Sequence, residues 1–246
     1  MEIRVDPNKV AGAFLCVIAV LMTINTTLLF LYFYLGDGEL YGLVDLFDLD
    51  IEGNVPTLYS AAAVLVCSAL LALITTVKWH DPAGRRFHWL GLSLLFFFLG
   101  VDEGTGIHEE IGSWLERFYE ARGAVYFFWV VPYGIATFVL AVTYLKFTWA
   151  LPADTRWRFV TAGTLFVVGA LGIEMLGAME ADLHGTTTLT YSILYSVEEL
   201  LEMLGIVVFI HALLLYLGRE TGRFALVLDL REDRPSPTRT KDETSA

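Results

Sequence analysis

Residues 89–110 decide the fold of this chain and read WLGLSLLFFFLGVDEGTGIHEE. The apolar part, Trp89–Val101, has thirteen residues, and a helix needs about 20 to cross the hydrocarbon core of a bilayer. The helix is therefore predicted either to continue through the acidic part to about Leu115 or to break at Gly104–Gly106 beside a cavity. Ionisable side chains follow the apolar run in both cases: Asp102, Glu103, His108, Glu109 and Glu110.

The composition assigns the chain to the polytopic membrane proteins. It has 246 residues, of which 56% are hydrophobic, and a mean hydropathy of +0.59, which is rare in a soluble domain of this length. The formal net charge of −12 excludes nucleic acid as a partner, because nucleic-acid binding needs a basic surface. The lipid bilayer is the expected partner, and the composition leaves the oligomeric state open.

The hydropathy pattern predicts an all-α membrane helix bundle with six transmembrane helices. Residues 1–220 are predicted to form this transmembrane domain, and residues 221–246 a cytoplasmic tail that is disordered, since it is charged and rich in Pro, Ser and Thr. The predicted spans are about Val10–Leu35, Pro56–Val77, Phe87–Leu115, Ala124–Phe147, Arg158–Ala181 and Thr190–Leu217.

The distribution of basic residues predicts the orientation. Lysines and arginines cluster in loops 78–88 and 146–158 and in the tail, whereas loops 36–55 and 182–189 have none. The positive-inside rule then places both termini in the cytoplasm of a multi-pass protein of the cell (inner) membrane.

Carboxylates from separate spans are predicted to meet in the outer half of the bilayer. Counting about 1.5 Å per helical residue places Asp102, Glu174 and Glu202 near the middle of the membrane, and no lysine or arginine lies among the acidic groups. Ionisable groups inside a membrane mark functional sites. The candidate metal ligands are Asp102, Glu103, His108, Glu109, Glu174, Glu198, Glu199 and Glu202.

A glycine follows four of these carboxylates at the same offset. Gly106, Gly112, Gly177 and Gly205 each lie three residues after a glutamate, and the sequence Glu-Met-Leu-Gly occurs twice, at 174–177 and 202–205. A glycine on the face of the carboxylate lets a neighbouring helix or a ligand come close.

The motifs Asp102-Glu103-x4-His108-Glu109, Glu174-Met-Leu-Gly177 and Glu198-Glu199-x2-Glu202-Met-Leu-Gly205 resemble those of an uncharacterised group of prokaryotic multi-pass membrane proteins. The resemblance covers the third, fifth and sixth spans. It implies that the eight candidate residues match the motif of that group, and it brings no activity, substrate or cofactor.

Three interpretations of the cluster remain open. In the first, the cluster binds a divalent cation such as Mn²⁺, Fe²⁺, Mg²⁺ or Ca²⁺, for which carboxylates with one His are suitable ligands; as part of a metalloenzyme, this cation would act on a lipid or small hydrophobic substrate from the outer side. In the second, the cluster transports a divalent cation or protons across the membrane. Alternatively, protonated carboxyls join helices through hydrogen bonds to Asn25, Thr26, Tyr59 and Tyr195. The acidic loop 36–55 is predicted to be solvated and to concentrate cations at the entrance.

Overall fold

The structure is a computed structural model that describes residues 2–35, 42–81, 84–222 and 225–227. It is a helical bundle. Near the two ends of the chain, the short strands β1 (Glu2–Arg4) and β2 (Ala225–Val227) pair with each other in antiparallel fashion. The helices are α1 (Pro7–Phe30), α2 (Leu43–Phe47), α3 (Val55–Val77), α4 (Arg86–Thr105), α5 (Ile107–Leu115), α6 (Val130–Trp149), α7 (Ala153–Val167), α8 (Glu174–His184) and α9 (Leu189–Thr221). A π segment, Leu31–Leu35, continues α1; a second, Val168–Ile173, joins α7 to α8; and Gly123–Val125 is a 3-10 turn.

The helices begin where the sequence supplies capping groups. Asp6 accepts a hydrogen bond from the backbone N–H of Asn8 (2.9 Å), Asn54 accepts one from Thr57 (3.2 Å), and Thr188 caps α9 in the same way. These side chains satisfy backbone N–H groups that have no partner within their own helix.

Five helices are long and apolar enough to span a membrane, and α4 with α5 forms a sixth such segment if the bent pair is one span. The bend between α4 and α5 is 74° and occurs at Gly106, so the alternative of a broken helix is confirmed. The fourth span begins at Val130, later than predicted, because a 3-10 turn precedes it. The fifth begins earlier, at Ala153, and contains a π segment that the sequence pattern did not predict.

The long helix α9 is the centre of the bundle. Its apolar span is 61% buried, whereas that of α6 is 11% buried, so α6 lies at the periphery. The apolar core forms where α9 packs against α3, α4 and α7, around the buried side chains of Leu71, Trp89, Ile210 and Leu213.

The two ends of the bundle are distinct. Lys78 at the end of α3 pairs with Glu220, and Asp154 at the start of α7 pairs with Arg219, so the α3–α4 and α6–α7 connections lie beside the chain termini. We call this the terminal end, and the opposite end, with residues 42–54, 116–129 and 185–188, the loop end. The tail that was predicted to be disordered, residues 221–246, begins with the last residue of α9 and includes strand β2, and from position 228 onward it lies outside the described residues.

Candidate cation site

A cavity with a volume of about 770 Å³ lies at the loop end, enclosed by residues 49–52, α4, α5, the start of α6, α8 and α9. All eight predicted ligands line its wall: Asp102, Glu103, His108, Glu109, Glu174, Glu198, Glu199 and Glu202. These residues from three separate parts of the chain therefore meet in one cavity, as predicted. That they bind a metal stays a prediction.

The charge of the cavity is one-sided. Four acidic residues beyond the predicted set also line it, namely Asp50, Glu52, Glu116 and Glu120. Arg122 is the one lysine or arginine on the wall among the described residues. Its side chain is 76% exposed and lies 3.4 Å from Asp182, so it belongs to the rim and leaves the carboxylates inside unneutralised.

The break between α4 and α5 depends on one glycine. Gly106 has φ 65° and ψ 31°, a left-handed conformation that costs other residues about 1–2 kcal/mol. A Cβ atom there would overlap Oε2 of Glu52. Across the bend, the buried Asp102 accepts a hydrogen bond from the backbone N–H of His108 (2.8 Å) through Oδ1. The bend thus turns His108 into the cavity.

His108 lies between two carboxylates. Its Nδ1 is 3.4 Å from Oδ1 of Asp102, and its Nε2 is 3.5 Å from Oε1 of Glu52. The ring also packs edge-on against Trp129, with 4.8 Å between ring centroids. A carboxylate on one ring nitrogen fixes the orientation of a histidine and leaves the other nitrogen for a ligand, as in many metal sites.

Three potential ligand atoms come close together beside this histidine. Glu52, His108 and Glu109 each offer one donor atom, and these atoms lie within 4.8 Å of one another. Such a spacing suits a single cation bound by one imidazole and two carboxylates. Within the described residues, this group joins two of the predicted ligands, His108 and Glu109, to Glu52, which was not among them.

The opposite wall is acidic and closely packed. The carboxyl groups of Glu174 and Glu198 lie within hydrogen-bonding reach of each other. A Cβ atom on Gly169, in the π segment, would lie 2.9 Å from the Cγ atom of Glu202. π segments often occur at functional sites, and this one sets the wall that carries Glu174 against α9.

The glycines that follow glutamate have structural roles. A Cβ atom on Gly205 would lie 2.9 Å from the carbonyl oxygen of Ala162, and one on Gly112 would lie 3.1 Å from the backbone nitrogen of Trp129. Gly106 forms the bend described above. At Gly112 and Gly205 the offset therefore reflects close approach of neighbouring chain segments, one of its two predicted meanings, whereas a Cβ atom on Gly177 would make only an ordinary contact, 3.7 Å from the Tyr191 ring.

The loop before α3 contributes two of the acidic groups. Leu49 is buried in the protein, and the side-chain amide of Asn54 donates to the carbonyl oxygens of Asp45 (3.2 Å) and Asp48 (2.6 Å). The Tyr191 hydroxyl donates to Oδ1 of Asp50 (2.8 Å). These contacts hold residues 48–54 over the cavity, so this part of the loop is more than the solvated entrance that was predicted.

The surroundings of the cavity change the acidity of these two loop groups. Burial raises the pKa of Asp50 to about 6, in opposition to the hydrogen bond from Tyr191. Burial and the neighbouring charge of Glu109 raise the pKa of Glu52 to about 7, in opposition to His108. Both carboxyls therefore exchange protons close to neutral pH.

Tyr195, which the sequence linked to the carboxyls, lines the cavity, and Tyr59 lies with Glu103 and Glu202 in a small pocket. The hydrogen bonds of Tyr59 and Asn25, however, go to other groups. The Asn25 amide donates to the Ser196 hydroxyl (2.9 Å), and the Tyr59 hydroxyl donates to the carbonyl oxygen of Phe14 (3.1 Å). Glu110 is exposed and is not part of the cavity wall. The sequence signal that could have found Glu52 was the alternation of acidic and apolar residues at 48–52, which indicates a segment with one face packed on protein.

The chain matches the family model described as "Domain of unknown function (DUF8692)" over residues 11–217. It belongs to the DUF8692 family. No curated protein and no solved structure matches the chain. The family assignment covers every predicted span and carries no activity.

Proposed function

We propose that this DUF8692 protein is a six-span membrane protein with both termini in the cytoplasm, and that its cavity binds a divalent cation from the outer side. The observation that carries the proposal is the group Glu52, His108 and Glu109, with Asp102 behind the histidine, in a cavity whose charge is almost entirely negative. The positive-inside rule supports the orientation, because the basic residues flank the terminal end.

The ligand types narrow the choice of metal. Carboxylates suit Mg²⁺, Ca²⁺ and Mn²⁺, and imidazole suits Fe²⁺ and the later transition metals. A site with both favours Mn²⁺ or Fe²⁺ among the four predicted cations. A bound cation would also replace the proton that Glu52, with a pKa of about 7, holds on part of the molecules near neutral pH.

Binding is proposed as the first step of cation entry. Beneath the cavity lie fully buried apolar side chains, including Leu71, Ile210 and Leu213. Passage of a cation past this layer requires a second conformation. Uptake of Mn²⁺ into proteoliposomes that contain the protein tests transport separately from binding.

Isothermal titration of Mn²⁺ into the purified protein tests the proposal. We expect one site per chain, and we expect Glu52→Gln to weaken it by about tenfold or more, since this replaces a charged ligand. Glu110→Gln is the matched control, because Glu110 carries the same charge on the same helix as Glu109 but is outside the cavity. Equal affinities of the wild type and Glu52→Gln would show that the proposed ligand set is wrong.

A membrane metalloenzyme is the second candidate, favoured by the size of the cavity. A volume of about 770 Å³ lies in the usual range for small-molecule sites, and three protein ligands would leave positions for substrate or water. The metal would supply Lewis-acid chemistry, and Glu103 on the wall is placed to hold a proton. Hydrolysis of added lipids by the metal-loaded wild type, lost in Glu103→Gln with metal content unchanged, would support this candidate over transport.

A further inference from the structure

Two connections at the terminal end share a sequence pattern. Residues 79–89 read WHDPAGRRFHW, and residues 149–159 read WALPADTRWRF. Both fit Trp-x2-Pro-Ala-x2-Arg-aromatic-x-aromatic. The first connection joins α3 to α4, and the second joins α6 to α7. The same pattern therefore occurs at two helix–helix connections on one end of the bundle.

The arginines of the two copies make the same contacts. Nη1 of Arg86 donates to the carbonyl oxygen of Trp79 (3.0 Å), and Nη1 of Arg156 donates to that of Trp149 (3.2 Å). The guanidinium carbons lie 5.5 Å and 5.4 Å from the centroids of the same two indole rings. Each arginine is therefore held in place by a hydrogen bond and a cation–π contact.

The aromatic residues that follow continue the correspondence. The guanidinium of Arg86 lies 4.9 Å from the ring centroid of Phe87, and that of Arg156 lies 5.9 Å from the ring centroid of Trp157. These two rings are 62% and 57% exposed. They project outward at an end of the bundle where apolar spans finish, which is typical of side chains at the membrane–water interface.

Both guanidinium groups have a donor without an acceptor. Within the described residues, the Nε atoms of Arg86 and Arg156 are shielded from solvent and have no hydrogen-bond partner. Neither arginine forms an ion pair with a carboxylate in this part of the chain, and the nearby Asp154 pairs with Arg219 at 2.6 Å. An N–H group removed from water without a partner is costly, so the repeated geometry calls for an acceptor from outside the chain.

We propose that each copy binds the phosphate of an anionic phospholipid headgroup, which gives two lipid sites per chain. A planar guanidinium presents its Nε–H and a terminal N–H in a fork that matches two phosphate oxygens, and a rotation of the side chain that uncovers the shielded Nε–H would let the phosphate reach both. The exposed rings beside it would lie against the glycerol and upper acyl region of the same lipid. These sites are at the opposite end of the bundle from the cavity and do not depend on cation binding.

Native mass spectrometry of the full-length protein in detergent with added phosphatidylglycerol tests this inference. We expect up to two retained lipids for the wild type, one for either Arg86→Gln or Arg156→Gln, and none for the double variant. Lys9→Gln is the control, since it removes a positive charge at an exposed position of α1 at the same end and belongs to neither copy; it should retain two lipids. Two retained lipids in the double variant would overturn the proposal, as would equal loss in the control.

Two further measurements test whether the loss of lipid comes from misfolding and whether the bound phosphate belongs to a lipid. Arg86→Lys with Arg156→Lys keeps both charges but removes the fork, and a sample with wild-type melting behaviour should bind phosphatidylglycerol at least about tenfold more weakly. Unchanged affinity in this variant would refute recognition by the guanidinium. Inorganic phosphate should not displace the lipid at millimolar concentration; displacement would mean that the sites take soluble phosphate instead of lipid.

Discussion

The two ends of the bundle differ in how far their charged side chains pair with one another. At the terminal end, Lys78 pairs with Glu220, and Arg219 pairs with Asp154. At the loop end, eleven carboxylate side chains line one cavity, and the one arginine on its wall among the described residues stands at the rim. Several charges at the first end pair within the protein, although Arg86 and Arg156 have no carboxylate partner among the described residues, whereas the second end has a large negative surplus.

This difference shows where ligands are needed. Charge shielded from water must be paired, protonated or bound to an ion of opposite sign. The terminal end meets this requirement in part within the chain, and Arg86 and Arg156, which have no carboxylate partner in the described part of the chain, form the proposed lipid sites. The loop end needs protons or a cation, and changes at this end should alter cation binding while comparable changes elsewhere leave it intact.

The largest effect is expected from Gly106→Ala. The alanine Cβ would meet Glu52 and would occupy a left-handed conformation, so we expect Mn²⁺ affinity to fall by roughly a hundredfold and stability by about 1–2 kcal/mol. Titration calorimetry and thermal unfolding measure the two effects. Gly163→Ala on α7, where a Cβ atom meets nothing within 4 Å, should leave the affinity unchanged and should not lower the stability, since alanine is the better helix former. If Gly106→Ala bound Mn²⁺ with wild-type affinity, the cation site would not depend on the bend.

Acidity should change cation binding and stability in opposite directions. Because the folded protein raises the pKa of Asp50 to about 6 and that of Glu52 to about 7, their neutral forms favour folding. That contribution is complete below about pH 4 and is lost as the pH rises through these pKa values. Mn²⁺ needs the ionised forms, so its affinity should rise by up to about tenfold per pH unit below neutrality.

Melting curves with and without Mn²⁺, recorded from about pH 5 to about pH 8, measure both trends. We expect the cation-free protein to lose stability over this range and the stabilisation by Mn²⁺ to grow. Stabilisation by Mn²⁺ that is the same at every pH would contradict a site built on Glu52.

A smaller effect is expected on the opposite wall of the cavity. Glu174→Gln with Glu202→Gln should lower Mn²⁺ affinity by several-fold, because both side chains add negative charge to the wall without belonging to the group of three donor atoms. Elemental analysis of the purified double variant gives the bound metal. Unchanged metal content would show that these two residues do not contribute to the site. A loss as large as that in Glu52→Gln would indicate that the cation binds closer to them than proposed.

The smallest effect is expected from Tyr191→Phe. The change removes the hydroxyl that donates to Asp50 at 2.8 Å, and this hydrogen bond lowers the pKa of that carboxyl. The pH midpoint of Mn²⁺ binding should therefore move upward by less than about one unit. Tyr32→Phe, on an exposed face of the first span, serves as the control. A downward shift in Tyr191→Phe would mean that the bond to Asp50 does not govern this titration.

Much of the architecture could be predicted because apolar length alone identifies a membrane span. The positions of α3 and α9 agree with the predicted spans within a few residues. Helical spacing also predicted that Glu198, Glu199 and Glu202 share one side of a helix, and the three line the same cavity. The π segment Val168–Ile173 was missed because its sequence resembles that of any apolar helix.

The sequence by itself determined that the chain is a bundle of apolar helices carrying acidic groups, since both properties depend on composition and spacing along one chain. Tertiary structure decided which of those groups meet. The left-handed Gly106 turns His108 towards Glu52, and the contacts of residues 48–54 hold Glu52 over the cavity. Neither arrangement has a periodic signal, because each depends on where a loop packs against a helix that is distant in sequence.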